Sequence, residues 1–155
     1  MGLDMYLNAK RFLWSQGEDV QIAKAITELL PELSKLKRGA SFREDPVREI
    51  CIEALYWRKA NAIHAWFVRN VQGGQDDCGN YRVDRTQLQE LASLIDQVLA
   101  QKGKASELLP PQSGFFFGSA EVDEYYYSDL QRTKNGIANV LELPDCWDFE
   151  YHSSW

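Results

Sequence analysis

Little in this chain of 155 residues is suited to crosslinking it, anchoring it or arming it for the commonest catalytic chemistries. Its three cysteines, Cys51, Cys78 and Cys146, are odd in number and widely spaced. None forms the two-residue gap of a zinc ribbon or redox motif, so a reduced, cytosolic protein without a disulfide is expected. No apolar run approaches the ~18 residues of a membrane span. The start, Met1-Gly2-Leu3-Asp4-Met5, has neither the basic region nor the apolar stretch of a secretory signal. No Gly-Lys-Ser/Thr phosphate loop occurs, and neither does an internal repeat, a low-complexity tract or a linker. Only His64 and His152 are available for histidine chemistry. A net charge of -6 removes any chain-wide attraction to nucleic-acid phosphates or anionic membranes. Polymeric nucleic acid and membranes are therefore not expected partners.

The acidic surplus is uneven. Residues 1–60 carry ten Lys/Arg against nine Asp/Glu, whereas residues 61–155 carry seven against fourteen. Aromatics make up 12% of the chain, and several cluster beside polar groups. Both ends alternate with the period of a half-buried strand: Leu3, Met5 and Leu7 against Asp4, Tyr6 and Asn8, then Trp147, Phe149 and Tyr151 against Asp148, Glu150 and His152. Pairing with each other is the simplest way to satisfy two such strands, and Tyr81-Arg82-Val83 is a third short candidate.

Four helices are predicted between the ends. The first starts near Asp19, with Ile22, Ile26, Leu29, Leu30, Leu33 and Leu36 on its apolar side and Pro31 kinking or dividing it. The second is capped by Asp45, with Pro46 at its first position, and runs to Val71 along Val47, Ile50, Ala54, Trp57, Asn61, His64, Val68 and Val71. The third starts at Asp84 with Gln87 placed for a capping box, carries Leu88, Leu91, Ile95 and Val98, and ends at Gly103. The fourth starts near Ser119, with Val122, Tyr126, Leu130, Thr133, Ile137 and Val140 in register, and stops before Pro144. The expectation is one α+β domain over residues 1–155, about four helices on a small, mostly antiparallel sheet built from the terminal strands.

Asn61 and His64 break the apolar stripe of the second helix and must be hydrogen-bonded if buried. Two readings stay open: internal bonds to a backbone carbonyl or to a tyrosine of the fourth helix, or the floor of a pocket with aromatic walls and Arg58 and Lys59 at its rim. Gln112 and Ser113 open the loop that continues through Phe115-Phe116-Phe117, which either plugs a gap between helices or offers exposed rings. Of Tyr125, Tyr126 and Tyr127, only Tyr126 fits the core stripe, and its neighbours lie about 100° to either side. The candidate ligand-binding set is therefore Trp57, Arg58, Lys59, Asn61, His64, Gln112, Ser113, Tyr125, Tyr126 and Tyr127. A phosphate at Ser119 is disfavoured by Glu121, Asp123 and Glu124, and Arg58 and Lys59 suit it better. Asp148, Glu150 and His152, joined by Asp4, could bind a divalent metal but equally make an ordinary solvated strand face, so no metal or other cofactor is predicted. A nucleophile would be Cys78 or Ser113 with His64 and Asp76 or Asp77, but none lies in a recognisable catalytic motif.

The opening MGLDMYL, the segment Tyr56-Trp57-Arg58-Lys59-Ala60-Asn61-Ala62-Ile63-His64, Asp77-Cys78-Gly79, the loop from Leu109 to Ser119, Asp123 to Tyr127 and the ending from Asp148 to Trp155 together resemble a family of small accessory proteins of tailed bacteriophages and prophages. The resemblance covers most of the chain, with residues 15–44 the least distinctive. It implies a protein at work in the host bacterial cytoplasm, on host machinery or host immunity, and carries over no catalytic residues. Three functions compete: capture of a small nucleotide-like ligand, acidic docking onto a basic host protein through Tyr125, Tyr127 and Trp155, and nucleotide hydrolysis using His64. A homo-oligomer is compatible with each.

Overall fold

The computed structural model describes residues 2–36, 46–115 and 117–155. The chain is α+β: helices packed on a four-stranded, mostly antiparallel sheet in the order β2-β1-β4-β3. The strands are β1 (Asp4–Phe12), β2 (Glu49–Arg58), β3 (Tyr81–Val83) and β4 (Asp148–Ser154). The terminal strands are neighbours at the centre, and β3 pairs antiparallel with β4 through Tyr81–Tyr151, Arg82–Glu150 and Val83–Phe149. Period-2 alternation places Leu3, Met5 and Leu7, then Phe149, Tyr151 and Ser153, in the interior.

Residues divide into two compact units, Met1–Ala9 with Glu53–Trp155, and Lys10–Ile52. In the first, the buried side chains of β1 and β4 are covered by α2 (Asn61–Asn70), α3 (Arg85–Ala100) and α5 (Glu124–Leu141), with the single turn α4 (Ala105–Leu108) between the last two. α3 follows its sequence signals closely. Gln87 Oε1 accepts the Asp84 N–H at 2.9 Å in a capping box, and Leu88, Leu91, Ile95 and Val98 form its buried stripe. The carbonyls just beyond α5 are collected by Arg85, whose guanidinium donates to Leu143 O at 2.7 Å and Pro144 O at 2.8 Å. Gly136 lets α5 approach β2, since a Cβ there would lie 2.2 Å from Leu55 Cδ2.

The second unit holds the far end of β1, α1 (Glu18–Leu29), a 3-10 turn over Pro31–Lys35 and the start of β2. Pro31 does divide the predicted first helix. The expected apolar side, however, is no core: only Ala23 of α1 is buried, Ile22, Ile26 and Leu33 are half-buried, and Leu29, Leu30 and Leu36 are exposed. Arg11 pairs with Asp19 at 2.7 Å and, with the Trp14 N–H, holds the Asp19 carboxyl below the usual carboxylate range.

Two predicted helices need correction. Residues 49–58 are a strand, and the helix expected from Pro46 to Val71 begins only at Asn61, while its expected cap Asp45 lies outside the described residues. The helical stripe was a coincidence of spacing over Ile50, Ala54 and Trp57, where a run rich in Ile, Cys, Leu, Tyr and Trp fits the pleat of β2 instead. Lys59 then reverses the chain with φ 59°, a left-handed conformation rare outside glycine. The last helix begins at Glu124, not Ser119, with Asp123 as its cap.

Candidate functional site

The turn at Lys59 delivers α2 into the middle of the first unit, where every residue from Asn61 to Val68 is buried. Asn61 sits at its first turn with its carboxamide directed at the loop after Leu109. Its Nδ2 donates to Phe117 O at 3.0 Å and Ser119 O at 2.7 Å, and its Oδ1 accepts the Gln112 N–H at 3.1 Å. Of the two readings of Asn61, the bonds to backbone carbonyls are present. Gly118, at φ 83°, passes against the Lys59 side chain within this loop, and Phe117 turns inward while Phe115 is exposed.

His64 is fully buried. Its Nδ1 lies 2.7 Å from the Tyr151 hydroxyl and its Nε2 3.0 Å from Asp76 Oδ2. An ionised carboxylate only accepts, which assigns the ring proton to Nε2 and leaves Nδ1 to accept from Tyr151. The tyrosine partner therefore comes from β4, not from the last helix. Burial drives the Tyr151 hydroxyl well above its ordinary range, keeping it a donor. The second Asp76 oxygen accepts the Trp155 indole N–H at 3.0 Å, so α2, the loop at Asp76 and the end of β4 form one network.

A cavity of about 360 Å³ opens beside the start of α2. One wall is the segment from Arg58 to Ile63, the second is the loop with Gly118, Ser119, Glu121 and Asp123, and the third is the face of α5 carrying Tyr125, Tyr126, Ser128, Asp129, Leu130 and Arg132. The first wall is electropositive for two reasons. Ala60, at the N-cap, offers no side-chain acceptor; Asn61 N–H reaches Lys59 O and His64 N–H reaches Ala60 O, leaving the Ala62 and Ile63 N–H groups without an acceptor among the described residues. Arg58 and Lys59 stand beside them, both exposed, with no ion pair among the described residues.

The other two walls are mixed. Asp123 Oδ1 caps α5 by accepting the Tyr126 N–H at 2.9 Å. The Asp129 carboxyl, raised chiefly by burial with Arg132 opposing, accepts no hydrogen bond among the described residues, and Arg132 Nη1 lies 3.8 Å away. Tyr125 is 81% exposed at the rim. Tyr126 donates to Leu109 O at 2.8 Å, and burial pushes its hydroxyl up to about 12.

The cavity thus brings together Arg58, Lys59, Asn61, Tyr125 and Tyr126 of the expected set. Trp57, His64, Gln112, Ser113 and Tyr127 do not line it. Trp57 donates from β2 to Thr133 Oγ1 at 2.7 Å, and Tyr127 donates to Lys102 O at 3.2 Å. Sequence reasoning missed Ser128, Asp129 and Arg132, although with Tyr125 they recur at i, i+3, i+4 and i+7, one polar face of α5.

Elsewhere, the acidic row on β4 is engaged locally: Asp148 pairs with Arg82 at 3.1 Å and the His152 ring stacks on Tyr6 at 4.6 Å, while Asp4 accepts from the Tyr56 hydroxyl. Among the described residues no group of three or more His, Cys, Asp or Glu is placed to hold a metal ion. Asp77 accepts the Gly79 N–H at 2.9 Å and the Tyr81 hydroxyl at 2.8 Å, which lower its carboxyl and occupy it in a turn. All three cysteines are exposed thiols, and no described helix is long and apolar enough to cross a membrane. No protein family, curated protein or solved structure matches the chain.

Proposed function

We propose that the protein binds a small, nucleotide-like anion in the cavity beside α2. The observation that carries this reading is the coincidence, on one wall, of two backbone N–H groups without an acceptor and two cations without an ion pair, both among the described residues. A phosphate supplies what both lack. Tyr125 offers a face on which a base can stack. A volume of about 360 Å³ lies at the small end of ligand pockets, which suits one nucleotide unit. Binding is favoured over hydrolysis because His64, the residue a hydrolase reading requires, is buried outside the cavity with both nitrogens engaged. The resemblance to bacteriophage accessory proteins supports a counter-defence or host-modulating role in the host cytoplasm, in which capture of a nucleotide signal is the activity.

Thermal unfolding with a panel of nucleoside monophosphates and cyclic nucleotides tests the reading. A melting temperature that rises with ligand concentration, and no longer rises in Arg58→Ala with Lys59→Ala, is expected. An unchanged melting temperature across the panel overturns it.

A further inference from the structure

The cavity has a second chemical character besides the wall formed by the start of α2. Asp129 projects from α5 with its side chain 28% exposed and without a hydrogen-bond donor among the described residues. A partly desolvated carboxylate is an acceptor pair in search of donors. Arg132, one turn further along α5, reaches only to 3.8 Å, too far for a hydrogen bond, so its own donors remain available to a ligand in the same cavity. Asp129 and Arg132 therefore present two acceptors beside a set of donors.

We infer that the ligand carries a guanine-type edge, two adjacent N–H donors flanked by a carbonyl oxygen, which Asp129 and Arg132 read while Arg58, Lys59 and the start of α2 hold its phosphate. The inference rests on the anion reading above and adds the base. Among the common bases, only guanine places N1–H and N2–H side by side, matching both oxygens of one carboxylate, with O6 adjacent for a guanidinium. Adenine and cytosine set a ring acceptor beside their amino group, directing a lone pair at the carboxylate. Uracil offers a single N–H between two carbonyls.

Titration calorimetry with GMP, IMP, XMP, AMP, CMP, UMP and inorganic phosphate, on the full chain and on Asp129→Asn and Lys59→Ala, tests it. GMP binds tightest, and IMP, which lacks the 2-amino group, binds about tenfold more weakly. Asp129→Asn weakens GMP about tenfold or more and moves the preference toward XMP, whose O2 accepts from the new amide, while AMP is little changed. Lys59→Ala weakens all nucleotides alike. Nucleotides that bind with equal affinity whatever their base, or an unchanged ranking in Asp129→Asn, overturn the guanine inference and leave the anion site standing. If neither nucleotides nor inorganic phosphate bind, both readings fall together. Asp129→Asn keeps the backbone carbonyl that accepts from Thr133 Oγ1 at 2.7 Å, so the variant is expected to fold, as circular dichroism checks.

Discussion

Two helices begin at the same cavity, and they begin differently. α5 brings its own anion, the Asp123 carboxylate, to its first turn; α2 starts after an alanine and leaves two amides without an acceptor among the described residues, next to Arg58 and Lys59. The same backbone need is met internally at one helix and left to solvent or ligand at the other. A helix start completed from within contributes to stability, whereas one left incomplete beside cations is where the proposed ligand would gain its binding energy.

That contrast can be broken in steps. Asn61→Ala strikes hardest, because it removes three hydrogen bonds between the start of α2 and the loop from Gln112 to Ser119. At about 1 kcal/mol each, a loss near 3 kcal/mol is expected in urea unfolding, together with weaker ligand binding. Asp123→Ala uncaps α5 and should cost about 1 kcal/mol, roughly 2–4 °C in melting temperature for a chain of this size. Because it also removes a negative charge from the cavity, its affinity for phosphate should hold or improve, the reverse of what Arg58→Ala does. Lys59→Gly relieves the left-handed backbone at φ 59°, for a gain of up to about 1 kcal/mol, while nucleotide affinity falls with the lost cation. A stabilised variant that binds as well as the parent would contradict the proposed role of Lys59.

The smallest effect concerns pH. Burial raises the Asp129 carboxyl, so the folded chain holds that proton more tightly than the unfolded chain does. The ionised group therefore opposes folding above its raised titration range, and the opposition disappears as pH falls below the ordinary carboxylate range of about 4. Asp129→Asn should melt slightly higher than the parent near neutrality, with the difference closing in acid. A melting difference independent of pH would show that the carboxylate is not the cause.

The elements that were legible in the sequence carry both a period and a stop signal. α3 has Asp84 and Gln87 at one end and a stripe of four aliphatics, and it stops at Ala100 with Gln101 as its C-cap, ahead of the expected Gly103, which lies in the 3-10 turn that follows; β1 and β4 alternate cleanly because each has one interior face. β2 was misread because it lies at the sheet edge with little burial before Trp57, so no alternation appears, and because the turn that separates it from α2 falls on a lysine. The site was half legible for a related reason. Arg58, Lys59 and Asn61 are adjacent in sequence and stand out, and Tyr125 and Tyr126 mark a helix start. Asp129 and Arg132 look like ordinary solvated helix positions until the fold brings them into one cavity with the start of α2. His64 stood out for its place in an apolar stripe, yet the partners that occupy it, Asp76 and Tyr151, are 12 and 87 residues away.

The Asn61 carboxamide also bears on how fast the proposed ligand would enter. It bonds one loop at three points, Gln112, Phe117 and Ser119, so the wall containing Gly118 and Ser119 moves with α2 or not at all. A chamber braced in this way has little ordering left to do when a guest arrives. Association should then follow single-exponential kinetics whose rate rises linearly with ligand concentration, without the plateau of a gate that must first open.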